Sequence, residues 1–213
     1  MSHIATGLAV LVALLIGLHT PAGAVILFSD NFDAEPNPGG LAGLNYNAFT
    51  KWDVSDGTVD FIAQGDFGLS CAGGSGKCVD MDGTSGDAGR IDTKTTFNLA
   101  PGTYQLSFDF SGNQRGGDPD TLFFGVTNAL FAVEPLVPPD QPFITLSGQF
   151  TVLLPTSGTI FFDHAGGDDV GIILDNVVFE SLTAAVPAPA AGFLLGTGLL
   201  VLAGTILRRK FRA

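Results

Sequence analysis

Thr103-Tyr104-Gln105-Leu106-Ser107-Phe108-Asp109-Phe110-Ser111 alternates apolar and polar residues from Tyr104 to Phe110. Tyr104, Leu106, Phe108 and Phe110 fall on one side of an extended chain. Gln105, Ser107 and Asp109 fall on the other, the period-two pattern of a half-buried strand. Outward from this stretch, residues 121–127, 143–154, 159–163 and 171–182 are further β-rich runs. Pro101-Gly102 and Thr156-Ser157-Gly158 are turn signals at short spacing. No segment holds a 3.6-residue period over three turns, and no internal repeat is visible. Short strands separated by Gly, Pro, Asn and Asp predict an all-β chain, a single β-sandwich or jelly roll.

The two ends read differently from this middle. Residues 4–18 are apolar and are followed by His19-Thr20-Pro21 and then Ala22-Gly23-Ala24. That order predicts a signal peptide over 1–24, cut by signal peptidase after Ala24. Residues 190–207 carry no charge, and Arg208, Arg209, Lys210 and Arg212 follow at once. Eighteen residues at 1.5 Å each span roughly 27 Å, which predicts a transmembrane helix over 190–207 with the basic tail 208–213 in the cytoplasm. The domain expected between them is 25–185, with a C-terminal signal over 186–213.

Of the 213 residues, 21 are acidic and nine basic. All the acids lie in 25–185, with only Lys51, Lys77, Arg90, Lys94 and Arg115 to balance them, a net charge of about −16. This excludes nucleic-acid binding by phosphate neutralisation. Histidine occurs only at 3, 19 and 164, and cysteine only at 71 and 78, which excludes cysteine-rich zinc modules and multi-histidine metal centres. Cys71 and Cys78 bracket a glycine-rich loop. In an exported domain they are expected to form a structural disulfide rather than a redox pair, because the C-x-x-C spacing is missing.

Asp80 with Asp82, Asp118 with Asp120, and Asp168 with Asp169 put carboxylates in loops, a composition that suits calcium or, equally, Asx turns. Trp52, the one tryptophan, has two open readings. It is core, or with Tyr46, Asn45 and Arg90 it forms a sugar-stacking site. No catalytic residue is assigned. There is no G-x-S-x-G elbow, and His164 would have to carry any histidine mechanism alone.

Two resemblances add to this. Val186-Pro187-Ala188-Pro189-Ala190, a Gly/Leu-rich helix and then Arg208-Arg209-Lys210 resemble a PEP-CTERM-type sorting signal in its VPxPA variant. Pro187-Ala188-Pro189 stands where the name-giving motif has Pro-Glu-Pro. The resemblance implies processing by a membrane transpeptidase of the exosortase or archaeosortase type, in a bacterium that makes an exopolysaccharide. The second runs through Asp30-Asn31-Phe32 as an early strand, Trp52-Asp53-Val54, Gly57 to Phe61, Val79 to Gly83, Pro101 to Phe108 and Leu174-Asp175-Asn176-Val177. These are similar to galactose-binding-like β-sandwiches, including the plant cell-wall family DUF642. Many such sandwiches hold a calcium between the first and last strands, which implies Asp30, Asp33 and Asp175 as its ligands.

The expectation is an exported, surface-anchored, non-catalytic protein associated with extracellular polysaccharide or biofilm matrix. The alternatives are a carboxylate-based glycan hydrolase and a purely structural envelope protein.

Overall fold

The computed structural model describes residues 23–182. The expected signal peptide up to Pro21 and Ala22, the sorting motif Val186 to Ala190, the transmembrane helix and the basic tail lie outside the described residues. Among those described, no helix is long and apolar enough to cross a membrane.

Thirteen strands follow one another: β1 (Val25–Asp30), β2 (Trp52–Ser55), β3 (Asp60–Ala63), β4 (Lys77–Asp80), β5 (Arg90–Thr93), β6 (Phe97–Leu99), β7 (Gly102–Ser111), β8 (Asp120–Val126), β9 (Leu130–Val137), β10 (Ile144–Val152), β11 (Thr156–Gly158), β12 (Ile160–Ala165) and β13 (Ile173–Ser181). The only helical pieces among the described residues are 3-10 turns of three or four residues. One sheet runs β10-β7-β13-β4-β3, with β1 on the same edge of β13 as β4; the other runs β2-β5-β12-β8-β9. Every strand pairing in these two sheets is antiparallel.

The alternation in β7 does what its pattern predicts. Leu106, Phe108 and Phe110 are fully buried, while Gln105, Ser107 and Asp109 face outward. Phe108 meets Phe124 of β8 and Phe162 of β12 edge-on, each with ring centroids 4.8 Å apart, so the two sheets close face to face as a sandwich. Burying one such ring is worth about 1.5–3 kcal/mol, and the same apolar cluster takes in Trp52, Phe61, Leu122 and Phe179.

A second, small cluster lies on the outer side of the first sheet. Ile62, Cys78 and Ile173 are covered there by Leu69 and Cys71 of the loop between β3 and β4. The Cys71–Cys78 disulfide expected from the sequence closes that loop.

Three local readings change. Thr156-Ser157-Gly158 is not a turn but β11, paired with β6. The early strand ends at Asp30, and Phe32 turns the chain with φ +58°. In β13 one extra residue at Asn176, φ +49°, makes a bulge against β7, so Asp175 faces outward and Val177 inward. Val25 pairs with Ser181, which brings the two ends of the described chain together at one end of the sandwich.

Candidate functional site

The outward face of the second sheet carries the arrangement most suited to a ligand. The registers place Asp53, Asp92, Phe161, Gly125 and Phe131 in one row across five strands. Ser55, Arg90, Asp163, Phe123 and Val133 form the next. Side chains of directly paired residues point the same way, so both rows face outward together.

Gly125 is what lets the first row form. A Cβ there would lie 2.1 Å from the Leu130 carbonyl oxygen and 3.1 Å from the Phe161 ring. Across that bare position the Phe131 and Phe161 rings lie 6.2 Å apart and nearly parallel, and Phe131 lies 6.0 Å from Phe123. Phe131 is 69% exposed, a large apolar ring left in water. The Arg90 guanidinium sits over Phe161 at 4.4 Å. It donates to both oxygens of Asp92 at 2.8 and 2.9 Å and to Asp163 at 3.3 Å. The hydrogen bond and charge of Asp92 push the Arg90 pKa up, against its own burial. Arg90, Phe131, Phe161 and the turn Thr127-Asn128-Ala129 line a shallow pocket of about 500 Å³. Asn128 also borders a second pocket of about 600 Å³ with Asn98, Thr156 and Ser157.

The four residues expected to form a sugar site are not brought together. Trp52 is fully buried, its ring 5.3 Å from Phe28, 5.9 Å from Phe32 and 6.0 Å from Phe162, and its Nε1 donates to Asp30 at 2.8 Å. Of the two readings the structure places it in the core, where no sugar reaches it. Tyr46 stacks on Phe61 at 5.3 Å, beside the first sheet, and Asn45 is held at φ +50° in the same loop by its N–H bond to Asp60. Only Arg90 stands on the outward face. Its partners Phe131, Phe123, Asp92 and Asp163 were not singled out in the sequence. The available signal was the apolar run Leu130-Phe131-Ala132-Val133 just after the Asn128 turn, the second arm of a hairpin.

Asp30, Asp33 and Asp175 do not converge as a set either: Asp33 lies near enough to Asp175 for its charge to raise that carboxyl, but Asp30 points into the core. Asp30 pairs with Val177 in register and points inward to Trp52, Lys51 and the Phe32 N–H. Asp175 points outward, where its two oxygens accept the Ala72 and Asn176 N–H groups. Asp33 accepts the Lys77 N–H and an Asn31 amide. The sheet separates Asp30 from Asp175, and the lone pairs a calcium would use already hold donors. Among the described residues no group of three His, Cys, Asp or Glu side chains is set to hold a metal ion.

At the far end of the sandwich His164 has a fully enclosed imidazole, with Nε2 3.5 Å from Asp120 and 3.4 Å from the Ile172 N–H. The Gly166 backbone is wedged against both His164 and the buried Asp82 carboxylate. Burial pushes the Asp80 carboxyl up to about 7, against the pull of Arg115. Burial likewise lifts Asp175 to about 7. Both side chains are shut away from solvent, so neither they nor His164 can meet a substrate as the molecule stands.

No protein-family model matches the chain, and no curated protein matches it. Similar solved structures include the K3 adhesin domain of Lys-gingipain from Porphyromonas gingivalis. It is 17% identical and covers 74% of this chain and 99% of its own, with a TM-score of 0.46. A xylan-binding domain from Paenibacillus barcinonensis is 15% identical over 78% of this chain and 100% of its own, TM-score 0.42. The family 6 carbohydrate-binding module of a Zobellia galactanivorans laminarinase is 14% identical over 61% of this chain and 92% of its own, TM-score 0.39. At these values the likeness is one of β-rich layout alone.

Proposed function

We propose that the described domain is a non-catalytic glycan-binding module, with the outward face of the β2-β5-β12-β8-β9 sheet as its binding surface. The observation that carries the reading is the double row of Phe131, Phe161 and Phe123 beside Arg90, Asp92 and Asp163. A pyranose has an apolar C–H face and an equatorial belt of hydroxyls. The exposed Phe131 ring offers the first a stacking partner, and the flanking carboxylates and amides offer the second acceptors and donors. In this reading the fold is a galactose-binding-like jelly roll.

The wider setting is proposed with it. The protein is exported after cleavage behind Ala24 and displayed on the cell envelope by exosortase-type processing at Val186 to Ala190. There it contacts the extracellular polysaccharide. The Cys71–Cys78 disulfide supports passage through an oxidising compartment. The pairing of Val25 with Ser181 supports a tether at one end, with the sheet face standing free at the side.

The hydrolase alternative needs an accessible carboxylic acid held protonated near neutral pH. The two carboxyls raised to about 7, Asp80 and Asp175, are both buried.

The test is retention on immobilised extracellular polysaccharide. Phe131→Ala should lower retention by about tenfold or more while leaving the melting temperature nearly unchanged, since the ring is mostly exposed. Equal retention by the variant would remove this face as the site.

A further inference from the structure

Resting on that reading of the sheet face, we infer that the glycan bound there is a neutral one, without uronate, phosphate or sulfate groups. The inference comes from where the positive charges go. Lys and Arg occur at only five positions among the described residues, and each is already committed. Lys51 pairs with Asp30 at 3.1 Å and donates to the Ser29 carbonyl. Lys77 donates to the Glu35 carbonyl at 2.6 Å and lies over the Phe61 ring. Lys94 donates to the Phe49 carbonyl at 2.6 Å and lies 3.9 Å from Asp53. Arg115 pairs with the buried Asp80. Arg90, at the centre of the proposed surface, is held by two carboxylates at once, and the only other cation near it, Lys94 at the edge beside Asp53, is held by that carboxylate and the Phe49 carbonyl.

An anionic ligand at this face therefore meets a guanidinium whose charge is more than balanced by Asp92 and Asp163, and a Lys94 ammonium already set against Asp53 of the same row. To pair with Arg90 it would have to share a guanidinium that already gives three of its five N–H groups to two carboxylates, and a domain net charge of about −16 would oppose its approach. A neutral sugar meets no such cost. Its hydroxyls can donate to the outer lone pairs of Asp92 and Asp163, which Arg90 holds in place, while its apolar face covers Phe131. The second pocket adjoining at Asn128 is lined by the amide and hydroxyl groups of Asn98, Thr156 and Ser157 together with apolar Leu99, Ala100 and Pro155, and by no charged side chain. A chain running from Phe131 over the β8–β9 turn would thus stay among uncharged partners.

The experiment uses the full chain in mild detergent. Retention is measured on an immobilised neutral galactan and a neutral β-glucan, and on a polyuronate and a sulfated galactan, at low and high salt. Each is run with calcium and with chelator, for the wild type and Phe131→Ala. Unchanged Trp52 fluorescence reports that the variant is folded. The expected result is retention on a neutral polymer that is insensitive to salt and calcium and falls about tenfold or more in the variant, with none on the anionic polymers. Phe131-dependent retention on an anionic polymer, with or without calcium, would overturn the neutral assignment and leave the face as a glycan site. Retention that is equal in wild type and variant, or absent on every polymer, would overturn the site itself and the assignment with it.

Discussion

Replacing Trp52 by Phe tests the core reading of that residue against the sugar-platform reading most directly. The indole is fully buried among Phe28, Phe32 and Phe162, and its N–H is bonded to Asp30, itself only 6% exposed. Phenylalanine keeps an aromatic ring in the site but loses both the extra ring volume and the donor. A residual cavity of about 40 Å³ costs about 1 kcal/mol at roughly 24 cal/mol per Å³. Removing one donor from a buried carboxylate costs about 1.5–3 kcal/mol; Lys51 and the Phe32 N–H still serve the other oxygen. The sum is about 3 kcal/mol, or a melting temperature lower by about 10 °C for a domain of this size. Urea unfolding followed by circular dichroism reads it. In the wild type, acrylamide should quench Trp52 poorly until the domain unfolds. A loss below about 1 kcal/mol, or efficient quenching of the native state, would show that the indole is not sealed against Asp30 and that the core assignment is wrong.

Four other outcomes are expected. Reducing the Cys71–Cys78 bridge opens a loop with a sequence separation of 7 and should lower stability by about 2.5 kcal/mol, read as a shift in the urea midpoint. Gly125→Ala should cost about 1–3 kcal/mol or more, because its Cβ would meet the Leu130 carbonyl at 2.1 Å and push β9 away; a neutral effect in thermal melts would contradict the register of the β8–β9 hairpin. Gly171→Ala should cost a similar amount in the same thermal melts, since the new methyl would lie 2.3 Å from the Asp82 backbone nitrogen. Asp80, raised by burial from 3.8 to about 7, binds its proton more tightly folded than unfolded, so its contribution is full below about pH 4 and is lost as pH rises through about 7. Asp80→Asn should therefore flatten the stability profile between those limits by about 1 kcal/mol per pH unit, and an unchanged profile would show that Asp80 is not desolvated.

The strands that were legible in advance are those whose burial is one-sided or continuous over many residues. β7, β8, β10, β12 and β13 fall within two residues of the runs 103–111, 121–127, 143–154, 159–163 and 171–182 at nearly every boundary. The short strands were hidden for a physical reason. β6 and β11 are three residues each and pair only with one another, too short to show a period, and Thr-Ser-Gly reads locally as a turn. β9 breaks its own alternation with the bulge where Leu136 takes φ +56°. Losing β9 from the sequence reading also lost the candidate site, since Phe131 acquires meaning only when its partner Gly125 and the next strand's Phe161 are in register beside it. The disulfide needed only two cysteines and a plausible compartment. The tryptophan could be weighed but not placed, because an indole in a sandwich core and an indole on a sugar platform have the same local sequence.

The acidic composition pointed to calcium because loop carboxylates in such number normally need a counter-charge. The structure gives several of the acids, in loops and at strand ends, a different partner. Asp66 accepts the Gly40 and Ala63 N–H groups, Asp60 those of Asn45 and Thr84, and Glu35 that of Thr50. Asp82 holds the Gly167 and Asp168 N–H groups 85 and 86 residues away, Asp80 holds Gly171, and Asp175 holds Ala72 across 103 residues. A loop that crosses a sandwich end without helix or ladder leaves N–H groups with no backbone acceptor, and an unpaired buried donor costs about 1–3 kcal/mol. A carboxylate can serve two such donors at once, and its bonds are stronger than those of a neutral acceptor. The acids thus do for the loops what sheet carbonyls do for strands. A cation taking the oxygens that hold these donors would first have to free N–H groups that then have no other acceptor; Asp82 Oδ1, buried without a partner, is the exception. The same logic leaves each of the five basic residues of the described chain engaged by a carboxylate or a carbonyl, so the sheet face that carries the exposed Phe131 ring offers no unpaired positive charge beside it.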